Sequence, residues 1–457
     1  MNSNLIFLVL WRNKIDMFIK LLKVRHFKVF IVVSFFCLLF LIDFTSGYSS
    51  KDRSARLKIT NSIYPKSYKI TNTRSDLEVY SKLDQSFEKF IKTWDLASAS
   101  VAIAKDGKLM YAKGFGYIDK EDSIKAEPYN TYRIASVSKL ITAVAVMKLV
   151  EENKLSLDSK VFGKNGLLND TCYLHYIDKR VEQITVKNLL NHSGGWTSIW
   201  GDHMFINDKI ANSLKKPLPV TLQDIIVFAL SKKLHFQPGT YSSYCNMGFS
   251  ILQLVIEKAS DQSYESYVKE NIFYPLNIND AHIAYNFDSL RYPNEARYYE
   301  IPEAEKIIAF DGSKDSLLKC RGGDDIRTLG AAGGWVISSV SLLKFLLAID
   351  GNDKNFPDII SRKSTLRLVE REGDYQPLGW KTIYPNGKWW RSGSLPGTSA
   401  LAVVRNDGFS YVFLTNTSPW PGARFPYEID RLLTRDIKMI ENWPDINLFY
   451  STGLNVN

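Results

Sequence analysis

Strand-like segments gather at the two ends of this chain, and helical patterning fills the middle. Near the N-terminal end, residues 100–104 and 109–112 flank the turn Lys105-Asp106-Gly107-Lys108. Near the C-terminal end, 379–384, 388–391, 399–405 and 410–415 are joined through Pro385-Asn386-Gly387 and Asn406-Asp407-Gly408. Asp-Gly and Asn-Gly between apolar runs are hairpin turns, because both residues tolerate positive φ. Two hairpin groups separated by helices bury their apolar faces most simply in one sheet built from both ends. The expected fold is therefore mixed α/β, in the α+β sense: an antiparallel sheet flanked by helices on both faces, with an all-helical subdomain.

The helical segments follow from apolar spacing. Residues 75–95 place Tyr80, Leu83, Phe87, Phe90, Ile91 and Trp94 on one face, and Ser75 with Glu78 reads as a capping box. Residues 155–235 read as mainly helical, and 237–259 as a turn followed by a helix. Residues 333–335 lead into a helix over 342–349, and a closing helix spans 427–440. Residues 280–327 have little period and mixed charge, and read as a long, lid-like loop region.

The chain has 457 residues, 45% hydrophobic and 23% charged, enough for one large domain. Of the net charge of +10, four units fall in the first 50 residues, and the rest is spread without a basic run. That distribution argues against nucleic acid as a partner. Residues 29–42 are apolar apart from Ser34 and follow a basic stretch, and Thr45-Ser46-Gly47 offers small residues for cleavage. Residues 1–47 are thus expected to be a signal peptide, with an uncleaved membrane anchor as the alternative. The globular part would be exported: periplasmic, secreted or anchored facing outward. Residues 48–74 read as a linker, 75–445 as the domain and 446–457 as a tail. The histidines show no ligand spacing and no Cys-x-x-Cys occurs, so neither a metal nor another cofactor is expected. Cys172, Cys245 and Cys320 cannot all pair, and no disulfide framework is implied.

Three short motifs carry chemistry. Ser136-Val137-Ser138-Lys139 sits where an extended segment, 131–135, turns into a long helix that is apolar on most sides. A serine at a helix N-terminus with a lysine three residues on can become nucleophilic without histidine. The two side chains share a face, and a desolvated amine gives up its proton more readily. Ser86, Ser213, Ser266, Ser316 and Ser341 have the same spacing to a lysine, so context singles out Ser136. Tyr244-Cys245-Asn246 follows the Pro238-Gly239 turn, and a tyrosine beside a cation can serve as general acid and base. Arg391-Ser392-Gly393-Ser394 ends the strand that begins near Lys388. A cation, a hydroxyl and a glycine there can bind a carboxylate and admit a substrate backbone. His192-Ser193-Gly194 is a rival for that role, but it does not sit on a strand and reads as a structural turn.

In this order the motifs resemble the serine β-lactamase-related family: class C β-lactamases, DD-peptidases and related esterases, with Ser-x-x-Lys, Tyr-x-Asn and a Lys- or His-Thr-Gly strand. The resemblance extends over residues 151–158, 184–195, 331–335 and 393–397, and spans about 77–440. It implies that Ser136 is the nucleophile and that Lys139 and Tyr244 share the acid and base work. It further implies that Asn246 orients the substrate amide, that the N–H groups of Ser136 and Ser394 form the oxyanion hole, and that Arg391, Ser392 and Gly393 bind substrate. Arg391 departs from the family's lysine or histidine, and cannot shuttle a proton. The function so implied is an exported serine hydrolase that cleaves an amide or ester of a small-molecule or peptide substrate. The alternative is a catalytically silent sensor or binding module on the same fold. A Ser-His-Asp hydrolase is disfavoured because no Gly-x-Ser-x-Gly elbow occurs.

Overall fold

A computed structural model describes residues 69–450 except Trp200 and 353–355. The leader expected over 1–47, and most of the linker, lie outside the described residues. The described end of the expected linker is packed chain: Ile70 is buried, and the Asn72 side chain donates to the Gly114 and Ala126 carbonyls at 3.1 and 2.9 Å. At the other end the body continues past 445, where the Leu448 N–H donates to the Leu109 carbonyl at 2.8 Å.

The central sheet has seven strands: β1 (Ser98–Lys105), β2 (Lys108–Asp119), β3 (Ile124–Lys125), β4 (Thr382–Ile383), β5 (Trp389–Leu395), β6 (Thr398–Val404) and β7 (Phe409–Thr415). Their order is β4-β5-β6-β7-β1-β2-β3, with neighbours antiparallel. The two ends of the chain meet where β1 pairs with β7, Val101 opposite Phe413 and Ile103 opposite Tyr411.

Both faces of the sheet are covered, and alternation along each strand decides what covers them. Val101, Ile103, Leu401, Val403, Tyr411 and Phe413 pack against the terminal helices α1 (Ser81–Thr93) and α6 (Phe425–Asp436). Ala102, Ala104, Ala112, Ala400 and Ala402 form the other face, toward α2 (Ser138–Glu151) and α5 (Ser339–Leu347). Small side chains here let α5 come close, so that Ser100 Oγ and Ser339 Oγ lie 2.7 Å apart. Ala102 is fully buried. Ala102→Leu is accordingly expected to lower stability by about 1–3 kcal/mol, read as a fall in chemical-denaturation midpoint, because the helix must be displaced.

Several boundaries differ from the sequence expectation. The Ser75–Glu78 capping box does not form: the Ser75 hydroxyl is taken by both the N–H and the carbonyl of Ala112, at 3.0 Å each. Two 3-10 turns come first, and α1 begins at Ser81. Residues 335–338, expected to lead straight into a helix, form a strand that pairs with Thr131–Arg133 and His282–Ile283. The helical subdomain includes α3 (Asn246–Ser260), and a further helix, α4 (Ile326–Gly333), precedes that strand. The region 280–327 is not an unstructured loop. It contains the strand pair Ile307–Ile308 and Ser316–Leu317, and it is tied to the body by Arg133, which donates to the Cys320 and Tyr285 carbonyls at 2.8 and 3.1 Å.

Candidate active site

Ser136 is presented by a turn rather than by the helix itself. The strand Thr131–Arg133 ends, and Ala135 takes φ +46°, a left-handed conformation that costs a residue with a Cβ about 1–2 kcal/mol. A 3-10 turn over Ala135–Val137 follows, and α2 begins at Ser138, two residues later than the sequence suggested. Lys139 therefore lies in the first turn of α2, below the Ser136 hydroxyl.

The lysine is buried and fully engaged. Its Nζ donates to Ser136 Oγ at 3.2 Å, to Asn246 Oδ1 at 2.7 Å and to the Ala332 carbonyl at 2.6 Å. Burial lowers its pKa and the Arg391 charge adds to that, opposed by Tyr244 and Asp202. Tyr244 arrives from the loop before α3, with its Oη 2.6 Å from Ser136 Oγ. Burial works against the Tyr244 phenolate, yet the neighbouring charges of Lys139 and Arg391, with the hydrogen bond to Ser136, bring its pKa below the ordinary phenol value. One hydroxyl thus faces two groups whose proton affinities have both been lowered.

Strand β5 closes the other side. The Arg391–Ser394 motif does not end its strand, as expected, but lies within it, because the strand runs on to Leu395 and pairs Gly393 with Ala400. Arg391 Nε donates to the Ser136 carbonyl at 2.8 Å. Its two terminal nitrogens are buried without hydrogen-bond partners. At Gly393 a Cβ would stand 2.2 Å from the Ile134 carbonyl oxygen and 3.0 Å from the Ser136 nitrogen. Only glycine lets the strand approach the nucleophile turn this closely. Ser136, Tyr244, Asn246, Arg391, Ser392 and Ser394 all line one cavity of about 800 Å³. Ile307, Ile308, Phe310 and Asp324 from the 280–327 region form one of its walls.

The rival segment has another task. The His192 ring lies 4.6 Å from the Tyr244 ring and 5.1 Å from that of Phe249, centroid to centroid, and its Nδ1 accepts the Cys245 N–H at 3.3 Å. Burial, with Lys139 and Arg391 nearby, holds its pKa well below the usual value, so it is a neutral brace behind Tyr244. Three groups at the site escaped the sequence reading. Asp202 contacts Asn246, Lys381 lines the cavity, and the Ala332 carbonyl holds Lys139. Asp202 and Lys381 belong to no local pattern. Ala332 falls in a stretch noted for resemblance alone, and a backbone acceptor has no sequence signature.

Strained turn, buried amine, phenol and closely apposed strand bring Ser136, Lys139, Tyr244 and Arg391 together on an α/β fold. Residues 83–434 match the family model described as Beta-lactamase, and the chain belongs to that family. It is 27% identical over 237 residues to Protein flp of Staphylococcus aureus (strain N315), covering 52% of this chain and 44% of that one. The chain thus spans less than half the length of that relative. The octameric penicillin-binding protein homologue from Pyrococcus abyssi superposes with TM-score 0.59 at 25% identity, over 80% of this chain and 78% of that one. The D-amino acid amidase from Ochrobactrum anthropi SV3 shares the fold with TM-score 0.60 at 18% identity, over 79% and 99%.

Proposed function

We propose that this protein hydrolyses an amide or ester of a D-amino-acid or related acyl donor through an acyl-enzyme on Ser136. The observation that carries this reading is the placement of Ser136 Oγ 2.6 Å from Tyr244 Oη and 3.2 Å from Lys139 Nζ, at the wall of a cavity. In the reaction, Ser136 Oγ attacks the substrate carbonyl carbon while its proton passes to the Lys139–Tyr244 pair. The resulting oxyanion is held between the N–H groups of Ser136 and Ser394. The pair returns the proton to the leaving nitrogen or oxygen as that bond breaks. A water then attacks the acyl-enzyme by the same route and releases the acid. Asn246 orients the substrate amide. Arg391 keeps its charge throughout, holding negative charge on the phenolate or on a substrate carboxylate without carrying a proton. The amidase and the penicillin-binding homologue support the choice of substrate class by the names they bear.

The reading is tested by labelling with a fluorophosphonate and with a penicillin, followed by peptide mapping. An adduct on Ser136 is the expected result, and an intact, unlabelled protein would count against it. Arg391→Lys is expected to keep kcat/KM within about tenfold at neutral pH and to add a new fall in activity as pH rises. A buried lysine loses its charge on the alkaline side, whereas the arginine does not. A pH–rate profile with no new limb would mean that the charge at this position is not used.

The protein works outside the cytoplasm in this reading. The support is the basic, then apolar, N-terminal sequence, and fractionation of cells with detection of the mature N-terminus tests it.

A further inference from the structure

Asp202 stands just before the 3-10 turn His203–Phe205 and serves two neighbours at once. Its Oδ1 accepts the Met204 N–H at 3.0 Å, which caps that turn. Its Oδ2 accepts from Asn246 Nδ2 at 2.9 Å and from the Asn246 backbone N–H at 3.4 Å. On the far side of the same amide, Asn246 Oδ1 accepts from Lys139 Nζ at 2.7 Å. A carboxylate only accepts, so the Asn246 NH₂ must face Asp202 and its oxygen is turned to the Lys139 amine. The flipped amide would set oxygen against oxygen on one side and NH₂ against the amine on the other.

We infer that Asp202 is a positioning residue for the acyl-enzyme chemistry, locking the Asn246 amide so that its oxygen holds the Lys139 amine beside Ser136. The inference rests on the reading of Ser136 and Lys139 given above. One Asn246 amide hydrogen is committed to Asp202, which leaves the other for a substrate carbonyl. The Asp202 charge also acts on Lys139. That amine is faced by the Tyr244 phenol, the Arg391 guanidinium and the neutral His192 ring, and its own burial and Arg391 favour proton loss. Asp202 and Tyr244 oppose that loss.

Asp202→Asn separates the roles, because asparagine caps a turn about as well as aspartate but carries no charge and no fixed acceptor. With a p-nitrophenyl ester as probe, kcat/KM is expected to fall about 10–100-fold. The acid limb of the pH profile should move to lower pH, since a lysine relieved of a nearby carboxylate releases its proton more easily. Asp202→Ser, which keeps the cap, serves as the second neutral variant if the first folds poorly. A loss of rate with the limb unmoved would reduce Asp202 to a structural cap and overturn the inference, as would a wild-type rate. Ser136→Ala is run alongside. If it retains turnover, the acyl-enzyme reading itself has failed. If it is inactive while Asp202→Asn matches wild type, only the role of Asp202 has failed.

Discussion

Ser136→Ala should reduce kcat/KM for any ester or amide substrate by about 10⁴-fold or more, with almost no change in melting temperature. The hydroxyl is the only atom group lost; of its two partners, Lys139 keeps other acceptors and the Tyr244 hydroxyl still faces the cavity. Lys139 retains Asn246 Oδ1 and the Ala332 carbonyl, and the Ser136 backbone still accepts from Arg391 Nε. No buried charge is left alone, so the change falls among substitutions worth only about 0.5 kcal/mol in stability. The oxyanion donors are backbone groups and survive, so a small residual rate above the uncatalysed reaction is expected. Steady-state kinetics beside a thermal melt make the measurement. Turnover near the wild-type rate would remove Ser136 from the mechanism, and with it the reading built on its hydroxyl.

Gly393→Ala should damage rate and stability together. The added Cβ would stand 2.2 Å from the Ile134 carbonyl oxygen, and backbone cannot step aside as a flexible side chain can. Strand β5 must withdraw from the nucleophile turn or tilt out of register with β6. Overpacking of this kind costs about 1–3 kcal/mol. A retreat of about 1 Å by the strand that carries Ser394 also misplaces an oxyanion donor, for which about a 100-fold loss in kcat is expected. The two losses should appear in one variant, read by denaturation and by turnover. A protein that melts and turns over as wild type would show that strand and turn do not meet this closely.

The contrast between the two variants reflects how the site is divided along the chain. Its chemical groups were legible as residue types in local context. Ser136 and Lys139 stood at a strand-to-helix junction, Tyr244 and Asn246 followed a Pro-Gly turn, and Arg391 with Gly393 stood at the end of a strand. These patterns are local because each motif is short and held by one element. What supports them was not legible. Asp202 and the Ala332 carbonyl touch the site through the tertiary fold, as does His192, which the sequence offered only as part of a turn, and none shares a spacing with the residue it serves.

Boundaries went astray for a similar reason. Ser75 looked like a helix cap because only its chain neighbours could be weighed, but Ala112 of the adjacent strand captures its hydroxyl. The strand at 335–338 was hidden because its pairing partners lie at 131–133 and 282–283. The region 280–327 lacks a period because its strands are only two residues long, some of its side chains entering the core and others lining the cavity.

The sequence by itself determined the alternation that makes a two-faced sheet, the hairpin turns that join its strands, and the identity of the groups that can do acyl transfer. Those follow from side-chain period and backbone preference, which act over a few residues. The tertiary structure alone decided that Lys139 loses water, that Tyr244 meets Ser136 at 2.6 Å, and that Arg391 is buried with its terminal nitrogens unpaired. Proton affinity depends on what surrounds a group, and those surroundings are assembled from segments more than a hundred residues apart.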